Sequence, residues 1–549
     1  MIKADQTLHD KGVEEFLKKP ELKRHLADLC VERLAGDPFR TVVIDHTAAR
    51  AELKAHKFLA VSLTFAEMWR ERLKGQKRVG VVFPAGAAGM MVNFALMMLD
   101  IVPVNLNFTA GNAAVEVSLK KANVDTVITA KPVIEKLVDF PWPENIIDLI
   151  EEKKVLNKFS VVRKMAAAIA LPGWVLRRLY KIPTEGKDRE AGLLFSSGST
   201  GEPKGVPLTH KNIIGNCLQI EASGILVPGY DVMMANLPIF HSFGFTIIVW
   251  YTLISKLKAV TLPSPLETKR VAKAIEDEKV TIMIGTPTFF RPYFRRIDPR
   301  QISSLRAVVG GAEKTPSGFH ERWEKRFGSR YLEGYGLTET TPVVSVNLPG
   351  LDIQGHKIEE RYRLGSVGPL FEGMAAQILD EITLEPQPIT KRGILALKGV
   401  NVFNGYLDEP EVNARVIRDG WFISGDLARF DEDGYLYIEG RVSRFSKIAG
   451  EMVPHGTVEQ QIMKAFHVED SEEPMVAVTG VTDESKGESL VLLSAMDISN
   501  QMLRERLTEE GMPNLWIPRT IKKVEKIPAL ASGKLDLREI KRIASEKGD

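Results

Sequence analysis

Between residues 78 and 108 the chain reads as a short β-branched run, a loop, an apolar helix and a second β-branched run. The first run is 79–83, the loop 84–89, the helix 90–99 and the second run 102–106. Such runs read as strands covered on both faces, and the segment between them as a buried helix. Two buried strands joined by a buried helix point to a parallel βαβ unit. Similar runs return at 280–285 and 307–311. The whole is therefore expected to be an α/β fold.

A chain of 549 residues is too long for one hydrophobic core, so several packed units are expected. The pattern changes near residue 440. Residues 420–441 carry an Asp433-Gly434 turn signal between alternating apolar residues, as in an antiparallel hairpin. A mixed strand-helix region and a highly charged tail follow. The boundary is placed at 440–445, giving units 1–440 and 441–549.

With 73 basic and 71 acidic residues the net charge is +2, without the basic excess a nucleic-acid partner demands. The two cysteines, Cys30 and Cys217, have no neighbouring thiol. That spacing argues against a disulfide framework or zinc site and for a reducing, cytoplasmic compartment. The first residues lack the apolar stretch of a signal peptide, and no run approaches the roughly 20 apolar residues of a membrane-spanning helix. Residues 153–184 hold eight basic side chains and no acidic one, interleaved with aliphatics and Trp174. Two readings stand: a peripheral membrane contact, which would place the protein at the inner membrane surface, or an ordinary helix with a solvated basic face and a buried apolar face.

The sharpest chemistry lies in Ser196, Ser197, Gly198, Ser199, Thr200, Gly201 and, three residues on, Lys204-Gly205. These ten positions supply three glycines, four hydroxyls and one lysine after the strand-like run 193–195. Glycines allow tight backbone turns whose N–H groups converge on an anion, hydroxyls add donors, and the lysine adds a point charge. A polyphosphate needs this combination. Thr209 reads as the N-cap of a following helix with Ile213, Ile214, Cys217 and Leu218 on one face. The loop is not a Walker motif, because Lys204 is followed by Gly205-Val206.

Further stations follow in order: Leu237-Pro238-Ile239-Phe240-His241-Ser242-Phe243-Gly244; Gly310-Gly311-Ala312-Glu313; Glu333-Gly334-Tyr335-Gly336-Leu337-Thr338-Glu339; Ser424-Gly425-Asp426; Gly440-Arg441; and Ser532-Gly533-Lys534. Together they resemble the adenylate-forming superfamily of acyl-CoA and acyl-carrier-protein synthetases, nonribosomal adenylation domains and luciferases. The resemblance spans roughly residues 193–534, weaker back to about 65. It implies a large N-terminal domain of mixed and parallel sheets flanked by helices, a small β-barrel subdomain, and a small mobile α+β C-terminal domain. It implies ATP and Mg²⁺ as cofactors. His241 is placed beside the acid, Gly311, Ala312 and Glu313 along the adenine edge, and Glu333, Gly334, Tyr335 and Gly336 under the base, with Tyr335 stacking. Thr338 donates to the α-phosphate, Glu339 holds the metal, Asp426 accepts the ribose hydroxyls, and Arg441 lies near the ribose or phosphate. Lys534 contacts the acid and the departing phosphate oxygens, and the C-terminal domain rotates between the two half-reactions.

The stretch from Arg444 and Phe445 through Lys447, Ile448, Gly450, Glu451 and Met452 most resembles acyl-carrier-protein synthetases. In particular it is similar to the synthetase half of the bifunctional 2-acylglycerophosphoethanolamine acyltransferase/acyl-ACP synthetase of phospholipid remodelling. No histidine has Asp five positions on, so a stand-alone synthetase without the acyltransferase HxxxxD is expected. The expected reaction converts a long-chain fatty acid to acyl-AMP and pyrophosphate, then transfers the acyl group to a carrier-protein phosphopantetheine thiol. The alternatives are a fatty acid–CoA ligase and a non-catalytic nucleotide- or lipid-binding scaffold. Lys534, Glu339 and Asp426 are all present, against the scaffold. Trp250, Phe243 and Val308 are candidate walls for an acyl chain.

Overall fold

The computed structural model of the chain describes residues 7–8, 10–197, 202–353, 355–448, 451–469, 471, 473–483, 487–529 and 535–546. The expected βαβ unit forms as strand Arg78–Val81, helix Ala87–Met98 and strand Val102–Asn105, the two strands parallel. They sit inside a six-stranded sheet in the order Asn145–Asp148, Thr126–Thr129, Arg78–Val81, Val102–Asn105, Glu190–Ser197, Pro203–Thr209. All neighbours are parallel except the last pair.

A second, eight-stranded sheet has a parallel interior: Arg330–Gly336, Ala307–Gly310, Ile282–Gly285, Val232–Ala235, Lys258–Thr261 and Thr41–Asp45. Val343–Val346 and Ala51–Lys54 close its edges antiparallel. Strand alternation splits Ala307–Gly310 between two cores. Ala307 and Val309 face the main cluster with Trp250, whereas Val308 faces the other side among Phe290, Trp323 and Tyr331. Val308 therefore does not share a wall with Trp250, which corrects the sequence expectation.

Strand Trp421–Phe430 pairs with Leu436–Arg441 across the Asp433-Gly434 turn, as expected, in an antiparallel sheet with Met374–Leu379 and Gly393–Gly399. That sheet occupies the place of the barrel subdomain. From Phe445 onward the strands pair in another, five-stranded sheet built from Phe445–Ile448, Glu451–Pro454, Val476–Asp483, Gly487–Ser494 and Thr520–Lys523. It is covered by helices His455–Ala465 and Leu537–Ser545, so a large α/β portion is followed by a smaller α+β one. Among the described residues no helix is long and apolar enough to cross a membrane.

The Ser196–Gly205 stretch differs from its expected setting. Pro203–Thr209 is an antiparallel edge strand, with Ser196 opposite Lys204 and Ser197 opposite Pro203. The described residues on either side of the loop are thus two antiparallel strands, and the chain does not pass from strand directly into helix at Lys204. Pro203 and Pro207 disguised the strand, but an edge strand tolerates residues that donate no N–H. Thr209 does cap helix His210–Ser223, in a capping box with Asn212.

Two buried histidines fasten the start of that helix to helix Leu26–Ala35. Ala27 N–H donates to His25 Nδ1 at 3.2 Å and Leu26 N–H to His210 Nδ1 at 3.1 Å, with ring centroids 3.9 Å apart. Asp100 joins them, and single ligand atoms from the three residues lie within 4.8 Å of one another. The hydrogen bonds oppose a metal there. Each Nδ1 is an acceptor, so each neutral ring carries its proton at Nε2, the atom a metal would need bare.

Burial holds His25 below the usual histidine range and His210 down at about 2. The unfolded chain therefore binds more protons than the folded one below about pH 6.5, and stability falls as the medium is acidified. For His210 alone the loss is about 1.4 kcal/mol per pH unit below 6.5, or about 2–3 kcal/mol by pH 4.5. Denaturant midpoints measured from pH 7 to 4.5 check this. The expected result is a shallower acid dependence in His210→Gln than in the wild type. Parallel slopes would refute it.

Candidate active site

Four chain segments converge at the C-terminal end of the parallel strands. Strand Arg330–Gly336 ends in Tyr335, whose hydroxyl donates to Asp426 Oδ2 at 2.5 Å. Asp426 lies mid-strand in Trp421–Phe430 and is 2% exposed. Arg441, opposite it in register, donates from Nε to Asp426 Oδ1 at 2.8 Å. Attraction to the Asp426 carboxylate raises the Arg441 guanidinium pKa. Burial, then the same carboxylate, raises the Tyr335 phenol well above its ordinary value, so it stays a neutral donor. Each Asp426 oxygen has used one acceptor position and keeps another, enough for two adjacent hydroxyls.

The next turn, Thr338–Thr340, carries the second group. Ser242 Oγ donates to Thr338 Oγ1 at 3.5 Å, bringing the His241 loop against this turn. Tyr406 OH donates to Glu339 Oε1 at 2.8 Å. Glu339 Oε2 accepts no hydrogen bond from a described residue. The Nζ of Lys204 stands 5.1 Å from the centre of the Tyr406 ring, within cation–π range. Tyr406 thus spans the hairpin lysine and the carboxylate. Burial, then Glu339, raises its phenol pKa and keeps it a donor. Gly336 is required here: a Cβ on it would lie 1.7 Å from Pro342 O.

The hairpin base is tied on two sides. Leu407 N–H donates to Gly205 O at 2.9 Å, and Lys121 Nζ reaches Pro203 O at 3.3 Å and Glu409 Oε1 at 2.9 Å. Of the loop residues, Gly198, Ser199, Thr200 and Gly201 lie outside the described residues, as does Lys534, and the Ser197 side chain is likewise not described.

The remaining predicted residues divide. Gly311 N–H donates to Gly285 O at 3.0 Å, and Ala312 takes a left-handed φ of 65°, forming the expected turn. The Glu313 carboxylate accepts from Thr288 Oγ1 at 2.6 Å, and Glu333 Oε2 meets His320 Nε2 at 2.9 Å. Both acids brace the turn from its sides. The His241 ring lies 4.7 Å from Phe240, and the chain then enters a buried π-helical segment, Gly244–Tyr251, of a kind frequent near functional sites. Phe243 faces the Gly311 turn, while Trp250 is fully buried edge-on to Phe245.

Tyr406, Thr288, His320 and Lys121 escaped the sequence reading, and Ser242 entered it only as a neighbour of His241. The one local signal was Gly405, with φ 134°, just before Tyr406.

Residues 32–407 match the model of the AMP-binding enzyme family, more than half of the chain. The chain belongs to the AMP-binding enzyme family. It is similar to long-chain-fatty-acid–CoA ligases: 27% identical to that of Salmonella typhimurium over 97% of this chain and 100% of the relative. It is 25% identical to that of Bacillus subtilis over 94% and 97%. Among solved structures, the anthranilate CoA ligase AuaEII in complex with anthranoyl-AMP superposes with a TM-score of 0.75 at 21% identity, covering 96% of this chain and 98% of the other. Enzymes of the AMP-binding family use ATP with Mg²⁺. The residues present fit both: paired acceptors on Asp426 for a ribose, and on Glu339 a carboxylate oxygen that no described residue donates to, for a hard cation.

Proposed function

We propose that this enzyme activates a long-chain fatty acid with ATP and transfers the acyl group to the thiol of coenzyme A. The full-length similarity to long-chain-fatty-acid–CoA ligases carries this reading. In the first half-reaction a carboxylate oxygen attacks the α-phosphorus, a new O–P bond forms, and the bond to pyrophosphate breaks. In the second, the thiol attacks the acyl carbon and AMP leaves. Both depend on positioning and charge neutralisation.

Asp426 and Arg441 hold the ribose side, Tyr335 the base, and Thr338 orients the α-phosphate. Lys204, with the hairpin tip, neutralises the phosphates from one side and Lys534 from the other. His241 orients the acid. Glu339 would hold Mg²⁺, which when bound would supply further charge neutralisation to the phosphates. Residues 441–549 form the mobile unit in this reading, with its hinge at 440–445.

A carrier-protein thiol is the acceptor expected from the hinge sequence, and it has weaker support. Arg444, which suggested it, donates to Val478 O at 3.1 Å and pairs with Glu459 at 2.6 Å, so an internal tie of the C-terminal sheet accounts for it. The test supplies enzyme, ATP and acids of graded length with either CoA or holo-acyl carrier protein. Thioester on CoA, rising with chain length, is expected. Thioester on the carrier protein alone would reverse the assignment of acceptor, and no acid-dependent pyrophosphate exchange would reject the ligase reading altogether.

A further inference from the structure

Helix Lys158–Ala170 leaves its bulkiest apolar stripe outside. Phe159, Val162, Ala166 and Ile169 recur at the spacing of one helix face, the stripe that normally turns inward. Here it faces solvent, with Phe159 76%, Val162 60% and Ile169 42% exposed. The inward side instead holds Ala168 and Lys164, both fully buried. Lys164 Nζ donates to Glu67 Oε2 at 2.5 Å and to Ser160 Oγ at 2.8 Å. The second sequence reading, a buried apolar face under a solvated basic one, therefore holds only in part: Ala167, Ala168 and Leu171 pack against the main core, while the bulkiest apolar side chains stay in solvent. A lysine with a partner on the neighbouring helix and a small alanine allow closer packing than the bulky stripe would.

The outward apolar surface continues on helix Gly173–Leu179, where Trp174 is 63% and Leu179 57% exposed, while Leu176 points in. Val155, 71% exposed, extends it at the other end. The cations divide into two sets. Lys154 pairs with Glu151, Lys164 with Glu67, and Arg177 with Asp28. Lys153, Lys158, Arg163, Arg178 and Lys181 form no salt bridge among the described residues, and all five are exposed.

We propose that residues 153–181 form a docking surface for an anionic lipid bilayer. Aromatic and aliphatic side chains seated at the headgroup boundary, flanked by unpaired lysines and arginines, match the chemistry of such an interface in both hydrophobicity and charge. A second copy of the chain fits poorly, because it would bring the same unpaired cations face to face. The surface stands independently of the acceptor thiol, and it would give the enzyme access to an acid that partitions into membranes.

The experiment is co-sedimentation of the full chain with phosphatidylcholine vesicles, with and without phosphatidylglycerol. Binding to the phosphatidylglycerol vesicles is expected, weakening with added salt. Phe159→Ser/Trp174→Ser should lower partitioning at least about tenfold. Lys158→Glu/Arg163→Glu should remove the preference for anionic vesicles. Both variants should retain pyrophosphate exchange with a short, water-soluble acid, which shows that they fold. Failure of the wild type to sediment, or equal sedimentation of wild type and both variants, overturns the proposal. So does a dimer in solution that Phe159→Ser/Trp174→Ser dissolves without changing vesicle binding. None of these outcomes bears on the ligase reading, which exchange activity tests separately.

Discussion

Asp426→Ala is expected to lower acid-dependent ATP–pyrophosphate exchange by about a hundredfold, about 2.7 kcal/mol, the size of losing preorganised partners for the bound nucleotide. The carboxylate is 2% exposed and already bonded by Tyr335 OH and Arg441 Nε. Its removal takes away both acceptors proposed for the ribose and leaves the guanidinium without its counter-charge. Asp426→Asn keeps the shape and one acceptor, so a loss of only about tenfold is expected. Thermal unfolding of each variant separates a lost site from a lost fold. Exchange within threefold of wild type in a folded Asp426→Ala, a ~0.7 kcal/mol effect at most, would remove the ribose from this position.

Glu339→Gln is the second large effect. The amide can keep the hydrogen bond from Tyr406 through its oxygen, but its NH₂ replaces the oxygen that no described residue donates to. An NH₂ group cannot ligate a hard cation. The maximal exchange rate should drop about a hundredfold, and the half-saturating Mg²⁺ concentration should rise, as expected for loss of a metal-held charge at the phosphate. A Mg²⁺ titration that superposes on the wild type after scaling would place the metal elsewhere.

Much of this was legible in the chain itself, for identifiable reasons. The alternation around residues 78–108 revealed parallel strands because buried strands cannot hide their apolar runs. The Asp433-Gly434 turn revealed the hairpin that sets Arg441 opposite Asp426. Tyr335, Asp426 and Arg441 were singled out from separate motifs and meet in one hydrogen-bonded group. Other features were invisible because they depend on what lies across the gap. Periodicity gives the spacing of Phe159, Val162 and Ile169 but not which side of the helix has a neighbour, and it was Glu67 that drew Lys164 inward. The prolines of Pro203–Thr209 read as loop because nothing local tells an edge strand from a turn. Tyr406 belongs to no motif, and only the fold brings it between Lys204 and Glu339.

The stretch from Arg441 to Phe445 has a mechanical implication. Arg441 is held by Asp426, and the Phe445 ring is lodged among Leu427, Ile394 and Leu379 of the antiparallel sheet. Arg444, next to Phe445, is gripped by Glu459 and Val478 from the other side. Two sets of contacts, one with the antiparallel sheet and one with the C-terminal portion, thus lie within five residues. Any swivel of the tail portion would have to unseat the aromatic plug before Val442 and Ser443 could twist, while Arg441 stayed bonded to Asp426. If the tail portion turns about 440–445 as proposed, such a joint would act as a detent with a defined resting stop and not as a loose tether.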